Sequence, residues 1–315
     1  MHKTNTTCAF IVLYFGALPD YFDFWARSCE SNHTHFHWFV YNDSITETIP
    51  FNPAVTLVPY GFAQLCQEIE AAYQLPVPSE SRGLVCDYEL LLATLKHDDD
   101  AFHGFDFVGF TDLDVIYGDI RRFLPDDALD YAMISADDDR PCGPFMLFNR
   151  KYADRIFRHD GVSAWLKSTL EKEVWQLTHS TEAGAFEPMT GSRKKDALVK
   201  QTRFRHLDES ETLMKIAARF APVLCRADPL QPTMTKGFNF RKAFAVWEKG
   251  TLKVYDNRGH VREGAFFHFS RFKKRARFKI DPAVSRSHRW GIYKYGIREI
   301  ASPLTLMKMW GSLLY

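Results

Sequence analysis

Several features that would place a protein in a membrane or in an oxidising compartment are missing from this sequence. The six cysteines are scattered without a CxxC pair, which is typical of free thiols and argues against a disulfide framework or a zinc site. No apolar run approaches the roughly 20 residues that a membrane-spanning helix needs. The polar start of the chain, Met1 to Thr7, does not resemble a signal peptide. We therefore expect a cytoplasmic protein.

The sequence also has no large excess of charge of either sign, because its net charge is only +1 over 315 residues. The charges are nevertheless segregated: residues 98–139 hold thirteen aspartates, whereas residues 271–300 hold ten Lys or Arg against two acids. The acidic centre argues against a general surface for polyanions, so we expect no nucleic-acid partner. The hydrophobic share of 46% supports a sizeable core and excludes general disorder.

Apolar segments rich in β-formers alternate with helical patterns over the first half of the chain. Cys8–Phe15 (CAFIVLYF) is a continuous apolar run, which predicts a strand buried on both faces. Further strands are predicted at Phe36–Tyr41, Ala54–Val58, Phe105–Thr111, Tyr131–Ser135 and Phe145–Phe148, and helices at Tyr21–Cys29, Phe62–Tyr73 and Asp87–Lys96. This alternation favours an open α/β sheet with a crevice of nucleotide size.

The second half has a less regular pattern. It predicts a helical segment, a polar loop typical of an active-site cover, a β-hairpin and a strand that carries His268. These lie at Tyr152–Trp175, Thr178–Arg205, Phe244–Trp247 with Leu252–Tyr255, and Ala265–Phe269. We predict a catalytic domain at 1–270, with a donor half at about 8–150 and an acceptor half at about 151–270. A basic, partly apolar extension follows at 271–315.

The extension allows two interpretations. Its basic residues precede Pro303–Tyr315, an apolar segment too short to span a bilayer. This combination suits peripheral contact with an anionic membrane on its inner face. Alternatively, the apolar residues of the segment pack on the domain; these are Leu304, Leu306, Met309 and Leu313.

The sharpest feature is Asp112-Leu113-Asp114 at the carboxyl end of a predicted buried strand. Ligands of open α/β sheets bind at those ends. Two carboxylates one residue apart can face one divalent cation, which bridges the phosphates of a nucleoside diphosphate and stabilises it as a leaving group. The competing interpretation is that the aspartates cap a helix starting near Gly118.

The block Phe105–Leu124 (FDFVGFTDLDVIYGDIRRFL) closely resembles the DxD region of a family of mostly uncharacterised bacterial proteins placed among the GT-A glycosyltransferases. Other matching segments occur before and after this block, in the same order as in the family, over roughly residues 8 to 275. They are Phe15–Ser28, Asp43, Cys86-Asp87-Tyr88, Gly143–Asn149, His268-Phe269 and Lys273. One departure is Glu89, which stands where the pattern expects a Lys. If that Lys helps to hold the substrate, its role in this chain is lost or has moved.

The resemblance implies a GT-A (Rossmann-like) nucleotide-sugar transferase fold with a mixed central sheet. It also implies transfer of a hexose from a nucleoside diphosphate, UDP being the first choice, to a glycan or lipid-linked acceptor in bacterial surface polysaccharide synthesis. The implied cofactor is Mn²⁺ or Mg²⁺, held by Asp112, Asp114 and His268. A histidine among aromatic residues is otherwise usually a packed core residue.

Donor-binding residues follow from the same resemblance: Phe15, Gly16, Asp43, Asp87, Asp112 and Lys273. Gly16 allows close approach of the backbone, and Asp43 can accept from a base N–H or a ribose hydroxyl. An Asx-turn at Asp43, a helix cap at Asp87 and a solvated basic face at Lys273 are the structural alternatives.

On the acceptor side, an inverting enzyme needs a carboxylate as general base. Asp208 and Glu209, at the start of a predicted helix, are the candidates for this catalytic role. Capping of that helix explains Asp208 equally well.

Three other classes of protein share parts of this pattern. A haloacid-dehalogenase-type phosphatase also uses a DxD, but there the motif normally ends the first strand, and three predicted strands precede it here. A non-enzymatic binding protein would use the basic C-terminal segment. A sugar-nucleotide-forming nucleotidyltransferase should open with a Gly-rich basic loop, which YFGALPDYF is not.

Overall fold

The computed structural model describes residues 5–74, 77, 85–137, 144–164, 166–168, 213–228, 230–234, 239, 242–273, 275, 277–281 and 287–314. The predicted loop at Thr178–Arg205 and the predicted base candidates, Asp208 and Glu209, lie outside these residues. Of the cysteines inside them, four are free thiols, as expected: Cys8, Cys29, Cys66 and Cys225. Across the helices of this part of the chain, none combines the length and the apolar composition that crossing a bilayer requires.

The first half of the chain alternates strands and helices, as the sequence predicts. Its elements are β1 (Cys8–Tyr14), α1 (Phe22–Glu30), β2 (Phe36–Asn42), β3 (Ile49–Asn52), β4 (Val55–Pro59), α2 (Phe62–Tyr73), α3 (Val85–Lys96), β5 (Phe107–Phe110), β6 (Val115–Tyr117), α4 (Ile120–Phe123), β7 (Met133–Ser135), β8 (Met146–Asn149) and α5 (Arg150–Phe157). Sequence reasoning missed β3 and β6, which are too short to show a period.

The second half is mostly strands within the described residues. Its elements are β9 (Val223–Cys225), β10 (Ala243–Glu248), β11 (Thr251–Asp256), β12 (Val261–Glu263), β13 (Phe266–His268), α6 (Ser270–Lys273), β14 (Lys279–Ile280), β15 (Arg289–Tyr293), β16 (Gly296–Glu299) and α7 (Pro303–Leu314). The predicted hairpin is β10 and β11, and its turn uses positive φ at Lys249 and Gly250.

Eight strands of the described chain form the central sheet, in the order β3-β4-β2-β1-β5-β8-β7-β9. Strands β4, β2, β1 and β5 are parallel, whereas β8 is antiparallel to both of its neighbours. The predicted α/β fold with a mixed central sheet is therefore confirmed. The spatial order β4-β2-β1-β5 is the 3-2-1-4 order of a Rossmann sheet when these four parallel strands are counted along the chain. The switch point of such a sheet lies between β1 and β5.

The continuous apolar run of β1 is explained by its central place in this sheet. Cys8, Phe10 and Val12 pack into one hydrophobic cluster, while the alternate residues pack into a second cluster on the other face. Because side chains of a strand alternate between faces, a strand covered on both sides must be apolar at every position.

A second sheet, β12-β11-β10-β15-β16-β14, packs beside the first. The indole nitrogen of Trp247 on β10 donates to the carbonyl of Tyr117 on β6 at 2.9 Å, which ties the second sheet to the two-stranded ribbon of β6 and β13. Strands from both sides of residue 270 share this sheet. The boundary proposed at that residue stays a prediction.

Candidate metal centre

A two-stranded ribbon of β6 and β13 assembles the centre. In the antiparallel pairing His268 lies opposite Val115, the residue after Asp114. The amide of Phe269 donates to the carbonyl of Asp114 at 2.9 Å and extends the ladder by one step. This register brings His268 next to the DxD segment although the two are far apart in sequence.

The three side chains predicted as metal ligands meet at the end of β5. Nε2 of His268 lies 3.1 Å from Oδ1 of Asp114 and 3.5 Å from Oδ2 of Asp112. One ligand atom from each residue falls within 4.8 Å of the others. Three ligand atoms this close together can bind a single divalent cation.

The competing interpretation, that the aspartates cap a helix near Gly118, is wrong. Strand β6 follows the DxD segment directly, and the next helix is the short α4. Its N-cap is Asp119, whose carboxylate accepts from the amide of Arg122 at 3.2 Å. The cap is thus supplied by a different aspartate, and the DxD carboxylates are left to face His268.

The electrostatics of the centre are dominated by Asp114, which is only 4% exposed. Burial alone would raise its pKa, but His268 and Lys273 outweigh burial and hold the pKa of Asp114 well below its usual range. Burial would lower the pKa of His268 and of Lys273, and the Asp114 carboxylate reverses both shifts. Asp114 is therefore ionised at neutral pH.

The chemistry of these groups fits a metal ion. Nε2 of His268 is buried and makes no well-oriented hydrogen bond, although two carboxylates face it. When the ring is neutral with its proton on Nδ1, a buried Nε2 in that position offers its lone pair to a cation. Two carboxylate oxygens and one imidazole nitrogen form a donor set that suits Mn²⁺, and Mg²⁺ less fully.

Lys273 completes the charged cluster. Its Nζ lies 2.7 Å from Oδ2 of Asp114 and 6.0 Å from the ring centroid of Tyr21. Tyr21 meets Phe269 edge-on, with ring centroids 5.1 Å apart, and burial raises the pKa of Tyr21 to about 12. Sequence reasoning did not single out Tyr21, although it lies within the matching segment Phe15–Ser28.

The predicted donor-side residues gather at the neighbouring strand ends. The amide of Gly16, which has φ +97°, donates to Oδ1 of Asp43 at 2.6 Å. The turn after β2 is instead formed by Asn42, whose Oδ1 accepts from the amide of Ser44 at 2.9 Å. Gly16 and Asp43 thus join the ends of β1 and β2, beside the switch point of the sheet.

Phe15, which directly follows β1, lies at the same edge. The ring of Phe15 meets Phe62 edge-on, with centroids 5.3 Å apart. Space beside Gly16 is open, since a Cβ there would have no atom within 4 Å. Asp87 belongs to the first turn of α3, and its side chain is outside the described part of the structure, so its donor role stays a prediction.

Comparisons with known proteins add a family and a partial structural likeness. Residues 10–299 match the model of a family described as "Family of unknown function (DUF6625)". No curated protein matches the chain. Similar solved structures include a crystal structure of the galactosyltransferase LgtC in complex with donor and acceptor sugar analogs, at 15% identity and a TM-score of 0.32. That match covers 47% of this chain and 59% of the length of LgtC.

Proposed function

Because this chain belongs to the family of unknown function DUF6625, we propose its activity from its own site: metal-dependent transfer of a sugar from a nucleoside diphosphate. The observation that carries the proposal is the cluster of Asp112, Asp114 and His268 at the carboxyl edge of the sheet, with Lys273 beside it. A divalent cation and an ammonium group next to a Rossmann switch point match what a sugar nucleotide presents, which is a diphosphate.

In this proposal the site residues have separate roles in donor binding. Asp112, Asp114 and His268 hold Mn²⁺ or Mg²⁺, which when bound stabilises the leaving nucleoside diphosphate. Lys273 offsets the charge of the phosphates. Asp43 accepts from a base N–H or ribose hydroxyl, and we favour UDP as the nucleotide on the sequence resemblance alone.

The acceptor side rests on sequence alone. We propose a glycan or lipid-linked acceptor, as in bacterial surface polysaccharide synthesis, and an inverting transfer with Asp208 or Glu209 as the general base. That base takes the proton from the acceptor hydroxyl as the hydroxyl attacks the sugar.

Contact with an anionic membrane is part of the proposal, because a lipid-linked acceptor lies there. Helix α7 packs on the second sheet through Met309, which is 2% exposed, while Leu304 and Met307 are 59% and 67% exposed. The helix therefore has one packed face and one apolar face turned outwards. A basic residue lies next to this helix. Gly291 on β15 packs against Met309, and Arg298 pairs with Gly291 across the sheet. The exposed Arg298 therefore lies on the sheet face that α7 covers.

Calorimetry with a panel of sugar nucleotides, with and without Mn²⁺, tests the function. We expect at least one to bind only with the metal and to be slowly hydrolysed. Absence of metal-dependent binding across the panel would reject the proposal. Hydrolysis of a simple phosphomonoester would favour the phosphatase, and salt-sensitive RNA binding without affinity for sugar nucleotides would favour a binding protein.

A further inference from the structure

The two carboxylate oxygens of Asp114 face different partners. Oδ1 lies 3.1 Å from Nε2 of His268, on the side shared with Asp112, whereas Oδ2 lies 2.7 Å from Nζ of Lys273. One side of the carboxylate is thus directed to the proposed metal ligands. The other side already carries an internal cation.

The position of this ammonium is set by its surroundings. Lys273 is on α6, which follows directly on Phe269, and the amide of Phe269 is bonded to the carbonyl of Asp114. Tyr21, 7% exposed, covers the ammonium with its ring. Water is partly displaced there, so the charge acts on its neighbours more strongly than a surface lysine would.

A count of formal charges shows the consequence. Asp112, Asp114 and Lys273 together carry one net negative charge when His268 is neutral. A divalent cation is therefore attracted by one charge less than it would be without Lys273. With the cation added, the site carries one net positive charge, which suits an anionic diphosphate.

We propose that Lys273, positioned by Tyr21, disfavours binding of the metal ion alone and favours binding of the metal together with a diphosphate. This inference rests on the proposed function, since it takes a nucleoside diphosphate as the ligand. Lys273 repels the free cation and attracts the phosphates, so the two ligands enter as a pair.

Replacement of Lys273 by Met separates the two effects because they have opposite signs. Calorimetry should find that Lys273→Met binds Mn²⁺ alone about tenfold more tightly than the wild type, and UDP at saturating Mn²⁺ about tenfold more weakly. Lys279→Met removes the same charge from an exposed position on β14 and should change neither affinity by more than about twofold.

Variants of the neighbouring residue test its positioning role. Tyr21→Leu removes the ring and the hydroxyl and should shift both affinities in the directions of Lys273→Met but by less. Tyr21→Phe keeps the ring and loses only the hydroxyl that interacts with Lys273, so it should shift them least. Lys273→Arg keeps the charge and should also remain close to the wild type in Mn²⁺ affinity. Thermal melting would reveal whether Lys273→Met folds. If it does not fold, the Tyr21 variants and Lys273→Arg still test the inference.

The outcomes distinguish this inference from the function on which it rests. If UDP binding by the wild type depends on Mn²⁺ but Lys273→Met weakens both ligands or neither, the inference alone is wrong. If UDP binding by the wild type does not depend on Mn²⁺, both the inference and the proposed function are rejected.

Discussion

His268 pairs with Val115 across the antiparallel ribbon of β6 and β13, and this register sets its imidazole 3.1 Å from the carboxylate of Asp114. A slip of one residue would turn His268 to the opposite face of the ribbon. The proposed metal centre therefore depends on a strand pairing between distant parts of the chain, and the DxD segment alone supplies only two of its three ligands.

Asp114→Asn should remove most of the metal-dependent affinity for the nucleotide, because the charge is lost while the shape is kept. His268→Ala should weaken the affinity less, since one neutral ligand is lost. Calorimetry of UDP with and without Mn²⁺ measures both. Asp119→Asn, which alters the α4 cap, is the matched control, and normal Mn²⁺ dependence in Asp114→Asn would contradict the centre described here.

Asp43→Ala should weaken UDP binding by a similar factor with and without Mn²⁺, because the role proposed for Asp43 is at the base or ribose and not at the diphosphate. Removing the carboxylate also frees the amide of Gly16, so a melting curve must accompany the titration. A loss confined to the Mn²⁺-containing titration would place Asp43 at the phosphates and contradict the assignment.

Asp208→Asn or Glu209→Gln should abolish sugar transfer while leaving donor binding nearly unchanged, because a general base acts on the acceptor. The assay is transfer to an accepted glycan, with UDP affinity measured in parallel. If both amide variants transfer normally, neither residue is the base, and a retaining mechanism becomes the better hypothesis.

Leu304→Gln with Met307→Gln should lower sedimentation with anionic liposomes several-fold, because both side chains project from the exposed face of α7. Truncation after Ser302 should do the same but also removes Met309 from its packed position, which makes the point variants the cleaner test. Neutral liposomes are the control. Equal sedimentation of variant and wild type would leave α7 as a packing element only.

Asp256→Asn should destabilise the fold by about 2 kcal/mol, because the buried carboxylate accepts four hydrogen bonds. The donors are the amides of Asn239, Arg258 and His260 and the His260 ring. Burial would raise the pKa of Asp256, but these bonds outweigh burial and lower it.

The sign of the pH dependence follows from that lowered pKa. The stabilisation is fully present above the unfolded-state pKa, about 3.9, and is lost as pH falls through the lower folded-state value. Urea unfolding between pH 3 and 7 should therefore show a smaller acid-induced loss in Asp256→Asn than in the wild type. Exposed Asp130→Asn is the control, and a variant as stable as the wild type at pH 7 would contradict the assignment.

Much of the central sheet is determined locally by the sequence. The run from Cys8 to Tyr14 is apolar at every position but its end because β1 is covered on both faces. The segments after it alternate between strand and helix patterns, which is typical of an α/β sheet. The DxD after β5 predicts a binding edge for a related reason: an apolar strand that ends in two carboxylates places them at the carboxyl edge of the sheet, where ligands of open α/β sheets bind.

The resemblance predicts His268 as a ligand beside those carboxylates, but only the tertiary structure decided how the groups around them are brought together. Strand β6 has three residues and no readable period, so its pairing with β13, and hence the contact of His268 with Asp114, could not be derived from local pattern. The contact of Lys273 and Tyr21 with the same site likewise joins segments distant in sequence. Such contacts depend on strand register and packing. The free energy that fixes them is shared among many residues, so no single sequence motif predicts them.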